Sequence, residues 1–307
     1  MTYVAFEAGP ETGPRYNQCP PHHYPFMTRP ATARTRSRTL LGVDDPPPFV
    51  ILNEHGAAPA LLVCDHASRA FPRALARLGL PESATWQHMA WDIGSAELTR
   101  GLASALGAPA VLAGYSRLVV DCNRPLDDAE AFRTVSEGHE IPGNGALTEF
   151  DRAQRLACFF DPYHEAIGAM LAGFRLRGVV PLFVSVHTFT PTMGGHDRPW
   201  HVGVLWDRDE ASARYLISGL QAEAGLVVGD NEPYSGKHPA DFTVHQHAES
   251  AGLPYVCLEI RQDQFDSPAG TERWVRRLAK LIGPMLDDPA LRRLRSGDGR
   301  WLRANRR

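Results

Sequence analysis

The sequence predicts an α/β protein, a three-layer α/β/α sandwich around a mixed, mostly parallel sheet. Short unbroken apolar runs such as ALLVC and LFVSV recur along the chain, separated by stretches of helical periodicity. Strands apolar at every position belong in a sheet covered on both faces, and intervening helices supply the cover. His66, His187 and Glu259 stand at or near the ends of such runs. In open α/β sheets ligands bind outside the carboxyl ends of the strands.

Taken in order, residues 1–45 lack hydrophobic periodicity and are rich in Pro, Thr and Arg (PPHHYPFMTRPATARTRSRTL), which predicts a disordered extension. A single domain is expected over 46–290 and a basic tail over 291–307. PFVILNE and PALLVCDH are strands, followed by a helix in AFPRALARLGL. WDIGSAELTRGLASALG is an amphipathic helix closed by glycine. APAVLAGY and SRLVVDCNRP are two further strand candidates. Residues 147–178 form one long helix or two abutting ones, opened by Thr148, interrupted by Pro162 and closed by Gly178. VVPLFVSVHTFTP and WHVGVLWD are strands, DEASARYLISGLQAEAG is a helix, and LVVGDNEPYSG starts as a strand. DFTVHQHAESAG is polar and aromatic, LPYVCLEIRQD is a strand, and GTERWVRRLAKLIGPML is the last helix.

The 307 residues are 43% hydrophobic and 22% charged with a net charge of −3, so nothing electrostatic favours nucleic acid or an anionic membrane as partner. No window is apolar for long enough to span a bilayer, and residues 1–45 lack the apolar centre of a secretory signal. The five cysteines, Cys19, Cys64, Cys122, Cys158 and Cys257, are scattered and form no CxxC pair. Such a set fits a reducing cytoplasm, with Cys64, Cys122 and Cys257 serving as small core residues.

Four stretches carry the candidate chemistry. VCDHAS delivers Asp65 and His66; SRLVVDCNRP carries Ser116, Arg117, Asp121, Asn123 and Arg124; SVHTFTP delivers His187; LEIRQD holds Glu259, Arg261 and Asp263. Singly, each has a structural reading: a hydrogen-bonded histidine, a salt bridge, an edge glutamate. Converging on one rim, two imidazoles, several carboxylates and two arginines compose a metal-assisted hydrolytic site. Zinc takes His and carboxylate ligands and leaves a position for water, a carboxylate accepts that water's proton, and arginine neutralises substrate charge. A serine nucleophile has weaker support, because GYSRL lacks the second glycine of a GxSxG elbow. Neither a Walker A loop nor a GxGxxG after a strand occurs, and MGG at 193–195 is a glycine turn.

DHAS, WDIG, SRLVVDCNRP, SVHTFTP, DNEPYSG and LEIRQD together, in this order between residues 50 and 285, resemble the N-formylglutamate amidohydrolase family. The resemblance implies a zinc hydrolase with a phosphorylase/hydrolase-like fold, related to zinc carboxypeptidases and aspartoacylase. It implies cleavage of a small anionic N-formyl or N-acyl amino acid in amino-acid catabolism. It makes His66 and His187 zinc ligands and Glu259 the general base. Asn123 and Arg124 resemble the pair that holds a substrate carboxylate, and Arg117 would then polarise the scissile carbonyl. A guanidinium grips a carboxylate through two parallel hydrogen bonds, which lysine cannot match.

One departure matters. Zinc carboxypeptidases draw their first two ligands from an HxxE element, and here the fourth residue is Arg69. Asp92 is the candidate third ligand, with a rival role as an N-cap of the helix it precedes. Asp65 is set aside because neighbours on a strand point to opposite faces. Tyr234 and His245 are candidate substrate contacts. His247 would share a face with His245 if TVHQHAE were extended. His88 and His201 stand near polar motifs without an assigned role, and His164 is a helix residue satisfied by a neighbour. A metal-dependent hydrolase of another amide or ester, and a non-catalytic binder of acylated amino acids, are the competing functions.

Overall fold

In the computed structural model, residues 40–237, 241–295 and 301 are described. The extension expected over 1–45 lies outside them up to residue 39, as does most of the expected tail beyond 295. Seven strands form one sheet: β1 (Phe49–Leu52), β2 (Ala60–Cys64), β3 (Ala110–Ala113), β4 (Leu182–Phe189), β5 (Val202–Leu205), β6 (Val228–Asp230) and β7 (Tyr255–Arg261). Their spatial order is β1-β3-β2-β4-β7-β5-β6. β3, β2, β4 and β7 run parallel, β1 is antiparallel at one edge, and β5 with β6 reverses direction against β7. The sheet is thus mixed and mostly parallel, as the unbroken apolar runs imply.

Alternation along each strand feeds two cores. Leu62, Val184, Val186, Leu258 and Ile260 face one, closed by Trp274 and Leu278; Leu61, Val63, Phe183 and Cys257 face the other, closed by Tyr163, Ile167 and Phe174. Helices α1 (Ser95–Leu106), α4 (Glu210–Gln221) and α6 (Pro268–Asp287) supply the first cover. The second comes from α3 (Asp161–Leu176) and α5 (Phe242–His247), and α2 (Glu149–Arg155) leads into α3. Cys64, Cys122 and Cys257 are buried and free. No helix among the described residues is long and apolar enough to cross a membrane.

Thr148 opens α2 through a capping box with Asp151. The interruption expected at Pro162 is a π-helical turn, Leu156–Phe160, after which the proline occupies the first turn of α3. There its missing N–H costs nothing, and the widened turn absorbs the ring. Three expectations are corrected. AFPRALARLGL winds as 3-10 turns, with Ala76, Arg77 and Leu78 at positive φ. TVHQHAE is helical, capped by Asp241, so His245 and His247 do not share a face. SRLVVDCNRP is a tight buried coil: Val119 N–H donates to the Ser116 carbonyl and Arg124 N–H to that of Asp121.

Candidate active site

β2 ends just before Asp65 and His66, β4 carries His187 near its end, and β7 places Glu259 in register beside His187. Asp92 arrives from the loop before α1, its N–H donating to the His66 carbonyl over 3.0 Å. Gly94 then turns the chain into the helix with φ of 87°, where a β-carbon would lie 2.5 Å from the Phe265 ring. The Asp92 side chain makes no cap. Instead its Oδ2 lies 3.3 Å from His66 Nδ1 and 3.0 Å from His187 Nδ1. Donor atoms of these three residues all lie within 4.8 Å of one another.

The outer ring nitrogens also meet oxygen. His66 Nε2 lies 2.7 Å from Asp121 Oδ1, and His187 Nε2 lies 3.1 Å from Ser185 Oγ and 3.3 Å from Asp65 Oδ2. Arg117 grips Asp121 through Nε (3.1 Å) and Nη2 (2.8 Å) and reaches Asp92 with Nη1 (3.4 Å). Three buried carboxylates therefore meet one guanidinium and two imidazoles. Burial opposes ionisation of every one of them, and Arg117 opposes protonation of His66. The carboxylates nevertheless raise the pKa of both histidines and are themselves held low. An imidazole flanked by carboxylates on both nitrogens needs a positive charge on one side, as a proton or a cation. Two nitrogens and a carboxylate converging, with carboxylates behind the rings, is a donor set that fits a divalent metal.

Glu259 stands beside this cluster, 7% exposed, with no hydrogen-bond partner at Oε2. Burial, and after it the Asp92 charge acting against the nearby cationic groups, raise its pKa to about 8. Arg117, Asn123, Arg124 and Tyr234 line the same cavity, about 350 Å³ in volume. Asn123 N–H donates to Asp121 (2.9 Å), and its Oδ1 accepts from Thr243 N–H (2.9 Å). Arg124 Nη1 donates to the Asn123 carbonyl over 3.2 Å. The Tyr234 hydroxyl accepts from Arg198 Nη1 at 3.0 Å.

His245 is elsewhere. Its side chain, 48% exposed, pairs with Glu249 and lines a neighbouring groove, so the substrate contact expected of it is not met from that position. His88 lines the cavity and pairs with Glu137 on the hairpin at its rim. His201 Nδ1 accepts from Val227 N–H over 3.0 Å, a structural bond. His247 and His164 pair with each other, Nε2 to Nδ1 at 2.9 Å.

Sequence reasoning gave no role to Asp121, although it lies inside VVDCNR. It also set aside Asp65 for pointing away from His66. It does point away, and the face it points to is that of His187. Alternation on two adjacent parallel strands could have found that pair.

Fold and site together define the class: an α/β protein with a buried carboxylate–imidazole cluster at the carboxyl ends of its strands. The family model for N-formylglutamate amidohydrolase matches residues 58–265. A solved structure, gene product Atu2144 from Agrobacterium tumefaciens, is 31% identical with a TM-score of 0.78, covering 81% of this chain and 98% of that one. N-formylglutamate amidohydrolase from Ralstonia eutropha JMP134 shares the fold at 17% identity and a TM-score of 0.58, covering 79% of this chain and 98% of that one. No curated protein matches the chain. This chain belongs to the N-formylglutamate amidohydrolase family.

Proposed function

We propose that the chain is a zinc-dependent amidohydrolase that cleaves the amide bond of an N-formyl or N-acyl amino acid bearing a carboxylate. The observation that carries this reading is the convergence of His66, Asp92 and His187 next to a buried Glu259 in a cavity lined by arginines. Those three residues would hold the ion, which when bound supplies a Lewis acid for the scissile carbonyl and eases ionisation of water.

The chain's own residues do the rest. Glu259 takes a proton from the attacking water and returns it to the departing nitrogen. Burial raises this carboxyl to about 8 in the metal-free protein, and a cation held beside it would bring it down, so that it could both accept and donate a proton. Arg117, with its fork committed to Asp121, places a fixed positive charge beside the carbonyl oxygen on which negative charge grows. Arg124 and the Asn123 amide receive the substrate carboxylate, and Tyr234 lines the same cavity.

Metal analysis of purified protein, paired with hydrolysis assays on N-formyl, N-acetyl and N-succinyl amino acids, tests the proposal. Stoichiometric zinc and chelator-sensitive release of the acyl acid are expected. A protein that takes up no divalent metal, or hydrolyses none of these amides when loaded, overturns it. A non-catalytic binder would take up the ligands without turnover.

A further inference from the structure

Behind His187 lies a polar network of which the proposed reaction uses only Asn123. Asp65 sits at the end of β2 on the face that Ser185 and His187 occupy in β4. Its Oδ1 accepts from the Thr243 hydroxyl at 2.8 Å, while Oδ2 makes no hydrogen bond and lies 3.3 Å from His187 Nε2. The hydroxyl's other acceptor, the Cys122 carbonyl, is at 3.4 Å, so its single proton belongs to Asp65. The Thr243 peptide N–H meanwhile donates to Asn123 Oδ1 over 2.9 Å. Thr243 and Ser185 are wholly buried, and Asp65 and Asn123 nearly so.

With a cation held between Asp92 and Nδ1, this arrangement decides the tautomer of His187. His187 Nδ1 faces Asp92, whereas Nε2 has Ser185 Oγ at 3.1 Å. A serine hydroxyl can accept from Nε2–H or donate to bare Nε2, so by itself it fixes neither tautomer. A carboxylate beside Nε2 favours the proton there, which leaves Nδ1 its lone pair for a metal. Asp65 does this only while its carboxylate is held in place, and Thr243 is the residue that holds it.

We propose that Thr243 is a positioning residue: its hydroxyl, through Asp65, orients His187 for metal binding, while its peptide N–H fixes the Asn123 amide with Nδ2 left for the substrate. The inference rests on the metal centre proposed above. Because the two functions use different atoms of one residue, they separate by mutation. Thr243→Val removes the hydroxyl at nearly constant volume and keeps the N–H.

The experiment loads wild-type, Thr243→Val and Thr243→Ser apoproteins with Zn²⁺ or Co²⁺. It measures metal affinity, the visible spectrum of the Co²⁺ form, and KM for an N-formyl dicarboxylic amino acid at saturating metal. The expected result for Thr243→Val is a loss of roughly tenfold to a hundredfold in metal affinity, the range for removing a partner of a ligating histidine. Its Co²⁺ spectrum should be altered and its KM unchanged, and Thr243→Ser should restore the affinity. Wild-type affinity and spectrum in Thr243→Val overturn the inference, as does a KM that rises in step with lost affinity, the pattern of general loosening. If circular dichroism shows Thr243→Val unfolded, Asp65→Asn decides: the same loss of affinity supports the inference and undiminished affinity overturns it. Wild-type protein that takes up neither ion overturns this inference together with the function it rests on.

Discussion

Glu259 and Asp92 are both buried carboxylates, and their neighbours send them in opposite directions. Asp92 lies between two imidazoles and an arginine and stays ionised, while Glu259, with no donor at Oε2, is raised to about 8. A ligand needs the first condition and a proton carrier the second. Glu259→Gln keeps shape and volume but removes the proton carrier. It should lower kcat by about 10²–10⁴-fold, the usual contribution of general acid–base catalysis, and leave metal content and ligand affinity unchanged. Near-normal turnover in that variant refutes the assignment. Arg124→Lys keeps the charge and loses the fork. For a substrate carboxylate held there, KM should rise roughly tenfold to a hundredfold, the worth of a charged hydrogen bond, with zinc content intact. An unchanged KM would place the carboxylate elsewhere.

Elements were legible in the sequence to the degree that burial is periodic. β2, β4 and β7 are apolar on both faces, so their ends, and with them His66, His187 and Glu259, could be placed from the runs alone. The centre of SRLVVDCNRP is just as buried, yet it coils, because a run of buried residues records environment and not backbone conformation. The positive φ values of Ala76, Arg77 and Leu78 carry no local signal at all. His245 could not be placed because the helical register of residues 242–247 depends on the Asp241 cap, and an alternating polar stretch imitates a strand. Gly203 shows the same limit from the other side. In β5 it looks like a weakness in a strand, but a β-carbon there would lie 1.8 Å from the Glu232 carbonyl oxygen. Its absence lets the loop after β6 lie flat on the sheet and carry Tyr234 to the cavity. Gly203→Ala should therefore lift that loop, costing about 1–3 kcal/mol as overpacking does, and raise KM while zinc content stays stoichiometric. Denaturant unfolding and a metal assay check it; an unperturbed KM would detach Tyr234 from binding.

At the scale of the whole molecule, two pairs of histidines respond differently to acid. His66 and His187 have raised pKa values and gain protons readily, whereas His164 and His247 resist. Burial pushes His164 down to about 4 and His247 to about 3, with the charge of His164 acting further on His247. Their rings stack 5.2 Å apart, and His164 Nε2 is bonded to the Cys122 carbonyl at 2.9 Å, which holds the two partly buried rings in place. A depressed histidine is uncharged in the native state when the unfolded chain, near 6.5, has already bound a proton. The pair's contribution is therefore complete above pH 6.5 and is lost as pH falls from there towards 4 and 3. Each histidine can steepen the loss by up to ~1.4 kcal/mol per pH unit. Apoprotein unfolded in urea at steps between pH 7 and pH 4 should show falling stability. His247→Gln, which keeps a hydrogen-bonding group for His164 and cannot charge, should show a shallower slope over that window while matching or trailing wild type at pH 7. Equal slopes in the two proteins would mean that the acid sensitivity comes from groups other than the stacked pair, and that the pair is open to water after all.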